Sequence, residues 1–269
     1  FMPVIDAHVH TLPYFILIAP FEDAGRIDRL LHHMDACGVD KTIMLPVVTP
    51  TSAGNNQECA QWVKDHPDRL ATLTDVPMNQ ANAAELVLRA RADLGAVGTS
   101  YYPKMTDLNW LLDEPCIPLW EAYQTTRLVC NLQLQPANYP VLLELLQRYP
   151  QVRFVINHMG LPGSLDLDDA SYGGLMAGAV YANLFVKASA FYAAAETPWN
   201  LACPQALAFF YQLVEGLGAD RILWGSDWPP VERFLTYQQS LEIVRTQADL
   251  SDSDRALILG ENAARVFGI

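Results

Sequence analysis

Short apolar runs rich in β-branched residues alternate with amphipathic stretches along nearly the whole chain, which is the pattern of strand followed by helix, repeated. The first run ends in Val4-Ile5-Asp6-Ala7-His8-Val9-His10. Seven more follow: Lys41 to Val48, Leu70 to Val76, Gly95 to Tyr102, Leu128 to Leu134, Val152 to His158, Leu184 to Phe191 and Arg221 to Trp224. Between them the 3.6-residue period predicts helices over Arg26 to Cys37, Asn56 to Asp65, Ala81 to Leu94, Ile117 to Thr125, Pro140 to Tyr149 and Pro204 to Leu217, with a last helix inside Ser251 to Phe267. Gly38 stands where a left-handed C-cap is needed, and Pro140 at a permitted helix start. Eight strands alternating with helices predict an α/β fold, a closed (β/α)8 TIM barrel. The competing open, doubly wound sheet lacks its Gly-x-Gly-x-x-Gly turn after the first strand. No linker divides the chain, so one domain over 2–269 is expected.

A parallel barrel gathers whatever ends its strands at one rim. Here that means His8 and His10 from the first strand, Gln133 from the fifth, His158 from the sixth and Asp227 after the eighth. Two His separated by one residue project to one side of a strand, where they bind a metal or a polarised carbonyl, or are simply core histidines satisfied by backbone. Together with a carboxylate they suit attack of water on an electrophilic carbon: Asp227 takes the proton, while imidazoles or a bound metal stabilise the oxyanion. Ser226 lies beside Asp227, but the Gly-x-Ser-x-Gly elbow of a serine nucleophile is absent. His32 and His33 fall within a predicted helix and are read as packing or surface residues.

Charge narrows the partners. With 17 Lys and Arg against 30 Asp and Glu, the formal net of −13 disfavours nucleic acid and anionic membranes and leaves a small-molecule substrate. The five cysteines, at 37, 59, 116, 130 and 203, have no short metal-binding spacing, consistent with a reduced, cytoplasmic protein. Neither a secretory leader nor a membrane-length apolar run is evident. The apolar stretch Leu12 to Phe21 is read as a lid over the barrel mouth or a homodimer contact.

Five segments carry a resemblance to the amidohydrolase superfamily, in its amidohydrolase-related (amidohydrolase 2) branch: Asp6-Ala7-His8-Val9-His10, Val155-Ile156-Asn157-His158-Met159-Gly160, Val186-Lys187-Ala188-Ser189, Leu223-Trp224-Gly225-Ser226-Asp227-Trp228-Pro229 and Gly260-Glu261-Asn262-Ala263-Ala264-Arg265-Val266-Phe267. They occur in the family's order across almost the whole chain. Within the branch the sequence is most similar to 2-pyrone-4,6-dicarboxylate lactonases and sugar-acid lactonases. The resemblance implies a hydrolase that opens a cyclic ester, with Asp227 as general base and His8, His10 and His158 on the carbonyl or oxyanion.

Other branch members are decarboxylases and hydratases that hold zinc or manganese with the His-x-His pair, a strand-five His and the strand-eight Asp. This chain has Gln133 near the strand-five position. No cofactor is therefore expected to be obligatory, and His8, His10 and Asp227 are the set for a single zinc or manganese ion if one binds. The dicarboxylate lactonases clamp carboxylates with arginines, one of them on strand four, where this chain reads Gly98-Thr99-Ser100-Tyr101; a neutral, sugar-like or partly apolar ring is expected instead. Substrate contacts are expected from Gln133, Ser100, Tyr102, Lys187, Ser189 and Trp228, with Tyr14, Tyr101, Trp110 and Tyr192 as further aromatics near the strand ends. Lys187, inside an apolar strand, either serves the site or pairs with a structural carboxylate. The segment 161–182 is read as a gate or a mobile insertion. The alternatives to a lactonase are a metal-dependent decarboxylase or hydratase of an unsaturated or aromatic acid, and a non-catalytic ligand-binding descendant.

Overall fold

A computed structural model describes residues 3–12, 23–103, 107–163 and 165–269. Its eight parallel strands lie in sequence order around a barrel: β1 (Ile5–Val9), β2 (Lys41–Met44), β3 (Leu70–Asp75), β4 (Gly98–Tyr101), β5 (Val129–Leu132), β6 (Phe154–Ile156), β7 (Leu184–Ala188) and β8 (Ile222–Trp224). The helices that follow the strands include α1 (Ile27–Cys37), α2 (Asn55–Asp65), α3 (Ala83–Leu94), α4 (Ile117–Thr126), α5 (Tyr139–Arg148), α6 (Ala170–Met176), α7 (Phe191–Ala194) and α8 (Pro204–Leu217). The predicted (β/α)8 TIM barrel is therefore the fold. Several strands are shorter than the apolar runs that announced them, because hydrophobic residues continue into the turns packed beneath the helices. Among the described residues no helix is long and apolar enough to cross a membrane.

Two apolar regions hold the barrel. Ile5, Ala7, Ile43, Leu45, Ala71, Leu73, Val129, Val155, Phe185 and Leu223 fill its interior, and a larger cluster lies between strands and helices. Such alternate inward positions pack in layers, so the barrel is solid below its rim. Gly98 is required there: a Cβ would stand 2.7 Å from the Val129 carbonyl oxygen and 2.9 Å from Leu73.

The seam between β8 and β1 is closed by few groups. Val9 and Trp228 form an isolated bridge, His10 N–H donates to the Trp228 carbonyl at 2.7 Å, and Asp227 N–H donates to the His8 carbonyl at 2.9 Å. The Asp6 carboxylate completes the seam, with Oδ1 accepting from both His8 N–H (3.0 Å) and Ser226 N–H (2.9 Å). At the far side Gly260 lies flush against the Pro3 backbone, leaving no room for a Cβ. Thus the C-terminal segment clasps the start of β1.

The segment 161–182, read from sequence as a gate or a mobile insertion, carries a helix. Helix α6 crosses it, and buried Tyr172 donates its hydroxyl to the Met159 carbonyl at 2.8 Å, tying the segment down beside the His158 turn. The expected apolar lid falls mostly on residues 13–22, which lie outside the described residues, as does Tyr14.

Candidate active site

In β1 the interior positions Ile5 and Ala7 obey the two-residue alternation, which would send His8 outward. The register of β1 on β2 is irregular between Asp6 and Val9, and this extra residue of phase turns both His8 and His10 toward the strand ends around the axis. Their Nε2 atoms stand 3.2 Å apart, and each lies 3.4 Å from Asp227 Oδ1. His158 stands two residues past β6, after Asn157, with Nε2 at 4.0 Å from the same oxygen and its ring 4.5 Å from that of His8. All four expected catalytic residues therefore meet.

Two of them sit in left-handed backbone: His158 at φ 53° and Asp227 at φ 59°. Met159, Gly160 and Leu161 continue with positive φ, so the chain makes one left-handed turn after β6. Each non-glycine residue held there costs about 1–2 kcal/mol. Local strain of this kind concentrates where geometry serves function.

Hydrogen-bond partners fix the rings. His10 Nδ1 is 2.9 Å from the Leu45 carbonyl, which only accepts, so Nδ1 carries the proton and Nε2 offers its lone pair to the cluster. His158 Nδ1 is 2.9 Å from Ser189 Oγ. Lys187 points inward from β7, fully buried, with Nζ 3.5 Å from His8 Nδ1 and no carboxylate within ion-pair reach among the described residues. Of the two readings for that lysine, the structure places it at the site. On Asp227, Oδ2 accepts a short 2.5 Å hydrogen bond from Tyr192.

Burial dominates the electrostatics. It pushes His158 down to about 4 and His8 well below the usual imidazole range, with Lys187 adding to the effect on His8. Lys187 itself is driven well below its ordinary value by burial, against the attraction of Asp6 and Asp227. Burial also works to raise Asp227, but His158, His10 and the Tyr192 hydroxyl outweigh it and hold the carboxyl below its usual value. At neutral pH the site is an ionised carboxylate facing a neutral His158.

The substrate-contact candidates separate. Ser100 and Tyr102 present hydroxyls that are buried and lack hydrogen-bond partners among the described residues, and the Tyr102 ring is 6.0 Å from that of His10. Gln133 is half-buried at the end of β5. Ser189 acts on His158 as described. Trp228 is fully buried with its indole edge-on to His33 of α1 at 5.9 Å, the position of a packing residue. His33, as expected, also packs, 3.1 Å from Glu232 and stacked on Tyr237. Tyr101 turns to Trp110 at 6.3 Å.

Sequence reasoning missed three groups. Asp6 was visible only as part of a motif, yet it brackets β1 and β8. Asn131, buried on β5 two residues beyond the interior Val129, has neither amide atom hydrogen-bonded. Asp75, at the end of β3, accepts Val48 N–H at 2.8 Å, and its carboxyl is raised by burial. A polar residue two positions beyond an interior apolar one, at a strand's end, was the available signal for Asn131 and Asp75.

His8, His10 and Asp227 also form a group that could hold a metal ion. Zinc held tetrahedrally at about 2.0–2.2 Å separates its ligand atoms by roughly 3.3–3.6 Å, and the three separations here are 3.2, 3.4 and 3.4 Å. The donor set fits a divalent ion, and the strand-five imidazole is not needed to form it. Gly225 supports this geometry from behind. A Cβ there would stand 2.7 Å from His8 Cβ and 3.1 Å from His8 N. Gly225→Ala is expected to cost about 1–3 kcal/mol and to displace His8, lowering zinc affinity in a calorimetric titration. Gly54→Ala, where nothing lies within 4 Å, is the control; equal effects at the two glycines would remove the role given to Gly225.

Comparison with known proteins agrees with this architecture. The amidohydrolase family model (Amidohydro_2) matches residues 5–269. An L-fucono-1,5-lactonase of Burkholderia ambifaria is 27% identical over 172 residues, which is 61% of this chain and 58% of that protein. Among solved structures, a Pseudomonas putida protein described as a 2-pyrone-4,6-dicarboxylic acid hydrolase superimposes with a TM-score of 0.79 at 25% identity, covering 100% of this chain and 98% of its own. A dihydroxybenzoic acid decarboxylase from Polaromonas sp. JS666, with bound manganese, shares the fold at 18% identity and a TM-score of 0.72, over 100% and 97% of the two chains. With the family matched from β1 to the C-terminal residue, the chain belongs to the amidohydrolase family of enzymes.

Proposed function

We propose that the chain hydrolyses a lactone whose ring bears hydroxyl groups and no carboxylate. The observation that carries this is the buried, ionised Asp227 surrounded by three imidazoles, of which His8 and His158 are neutral at physiological pH. Asp227 accepts the proton of the attacking water. With Ser189 donating to Nδ1, His158 presents Nε2–H to the oxygen on which charge develops. His8, His10 and Asp227 would hold a divalent ion, which supplies Lewis-acid polarisation of the carbonyl or of water.

The ring preference follows from the groups around this centre. Ser100, Tyr102, Asn131 and Gln133 are uncharged donors and acceptors, and β4 carries no arginine to form a carboxylate fork. Similarity to the L-fucono-1,5-lactonase supports a sugar-acid δ-lactone. The decarboxylase neighbour, at 18% identity, shares the barrel and adds no argument for its own chemistry.

The test is a pH-stat assay of protein loaded with zinc or manganese against L-fucono-1,5-lactone, related neutral sugar lactones, 2-pyrone-4,6-dicarboxylate and 2,6-dihydroxybenzoate. Ring opening of a neutral lactone at least a hundredfold above background is expected. Turnover confined to the dicarboxylate, or loss of CO2 from the benzoate, would replace this reading.

A further inference from the structure

The carboxylate of Asp227 is used unequally. Oδ1 faces His8, His10 and His158, whereas Oδ2 accepts the Tyr192 hydroxyl. Tyr192 is the second residue of α7, which begins after Ala190 in left-handed backbone at φ 52°. Its own oxygen accepts from Arg233 Nη2 at 3.3 Å, and the Arg233 guanidinium stacks 5.5 Å from the Tyr192 ring centroid and 5.5 Å from that of Phe234. A guanidinium has no lone pair, so Tyr192 must accept from Arg233 and can give its single proton only to Asp227. The order of donors is thereby fixed as Arg233 to Tyr192 to Asp227.

We infer that Tyr192 and Arg233 are positioning residues that lock the rotation of the Asp227 carboxylate, so that Oδ1 alone is presented to the histidines. This rests on the reading of Asp227 as the base. A carboxylate is symmetric about its terminal torsion, and that torsion is broad. Three imidazoles on one side do not by themselves decide which oxygen they meet, nor hold the plane. The Tyr192 bond removes that freedom, and Arg233 keeps the hydroxyl from turning away. Both residues lie beyond β7 and β8, so the pair also ties the two loops that flank the site.

Crystal structures and kinetics of Tyr192→Phe, Arg233→Gln, Arg233→Lys and the Tyr192→Phe/Arg233→Gln double variant test this. In Tyr192→Phe the Asp227 carboxylate is expected to turn or to occupy more than one orientation, with kcat on L-fucono-1,5-lactone down about 10- to 100-fold and KM within about twofold. Arg233→Gln should lose less and Arg233→Lys should recover most of that loss. The double variant should be no worse than Tyr192→Phe alone, because Arg233 acts through the Tyr192 oxygen. An unmoved carboxylate in Tyr192→Phe, or losses that multiply in the double variant, would overturn the inference. If the wild-type protein opens no lactone but the carboxylate still turns, the proposed reaction fails and the positioning role stands.

Discussion

Asp227→Asn is expected to lower lactone turnover by about 10³-fold or more while the protein keeps its fold. The substitution is nearly isosteric and leaves an oxygen for the Tyr192 hydroxyl, so the contacts that hold the loop after β8 survive. What it removes is the proton acceptor. The Asp227 carboxyl is held below its usual value despite full burial, so the wild-type group is ready to accept a proton at neutral pH, and an amide never is. Melting temperature should hold or fall slightly, since a carboxyl held below its usual value is favoured in its charged form by the folded surroundings and the amide gives up that contribution at neutral pH. Initial rates and thermal melts on the same preparation separate the two effects. Turnover within tenfold of wild type would remove Asp227 from the role of base.

Asp6→Asn is expected to raise stability by about 3 kcal/mol at pH 7 and to leave it unchanged at pH 4. Burial raises the Asp6 carboxyl from 3.8 to about 6, against the hydrogen bonds from Ser226 and His8 that would lower it. A folded-state value above the unfolded one means that the native chain binds the extra proton between these limits. Its stabilisation is complete below pH 3.8 and is lost as pH rises through about 6, roughly 3 kcal/mol at 1.36 kcal/mol per unit. His158 runs the other way. Lowered by burial from 6.5 to about 4, it binds fewer protons when folded, so stability grows by a similar amount between about pH 4 and 6.5.

In the wild type these two slopes oppose each other across pH 4–6. The Asn variant keeps the oxygen that bridges β1 and β8, and its amide takes the place of the carboxyl beside the buried Tyr237 hydroxyl. It should therefore expose the rising slope of the buried histidines, His158 and His8, without the opposing slope of Asp6. Urea denaturation of metal-free protein at pH 4, 5, 6 and 7 measures both curves. Parallel curves would mean that Asp6 is not the group titrating there.

Much of this was legible in the sequence because it depends on periodicity. Alternating apolar runs predict the barrel, and a barrel brings strand ends together, which places His8, His10, His158 and Asp227 at one rim. What escaped depends on phase and on partners. Strict alternation would have turned His8 away, and only the irregular register between Asp6 and Val9 corrects it. Trp228, next to Asp227 in sequence, was expected in the pocket, yet the left-handed backbone at Asp227 redirects the chain and buries the indole against His33. Tyr192 was expected as one aromatic among several, because a sequence does not reveal which hydroxyl will meet which carboxylate.

The seam between β8 and β1 has a consequence for how the protein is born. Asp6 and Ser226 are 220 positions apart, and the centre exists only when they meet. At a translation rate of about 5–20 residues per second, roughly 10–40 s pass between synthesis of the first histidines and of the carboxylate they serve. Through that interval the nascent chain carries two histidines of the cluster without the carboxylate they face. On the proposed role of Asp227, reactivity arrives only with completion of the fold.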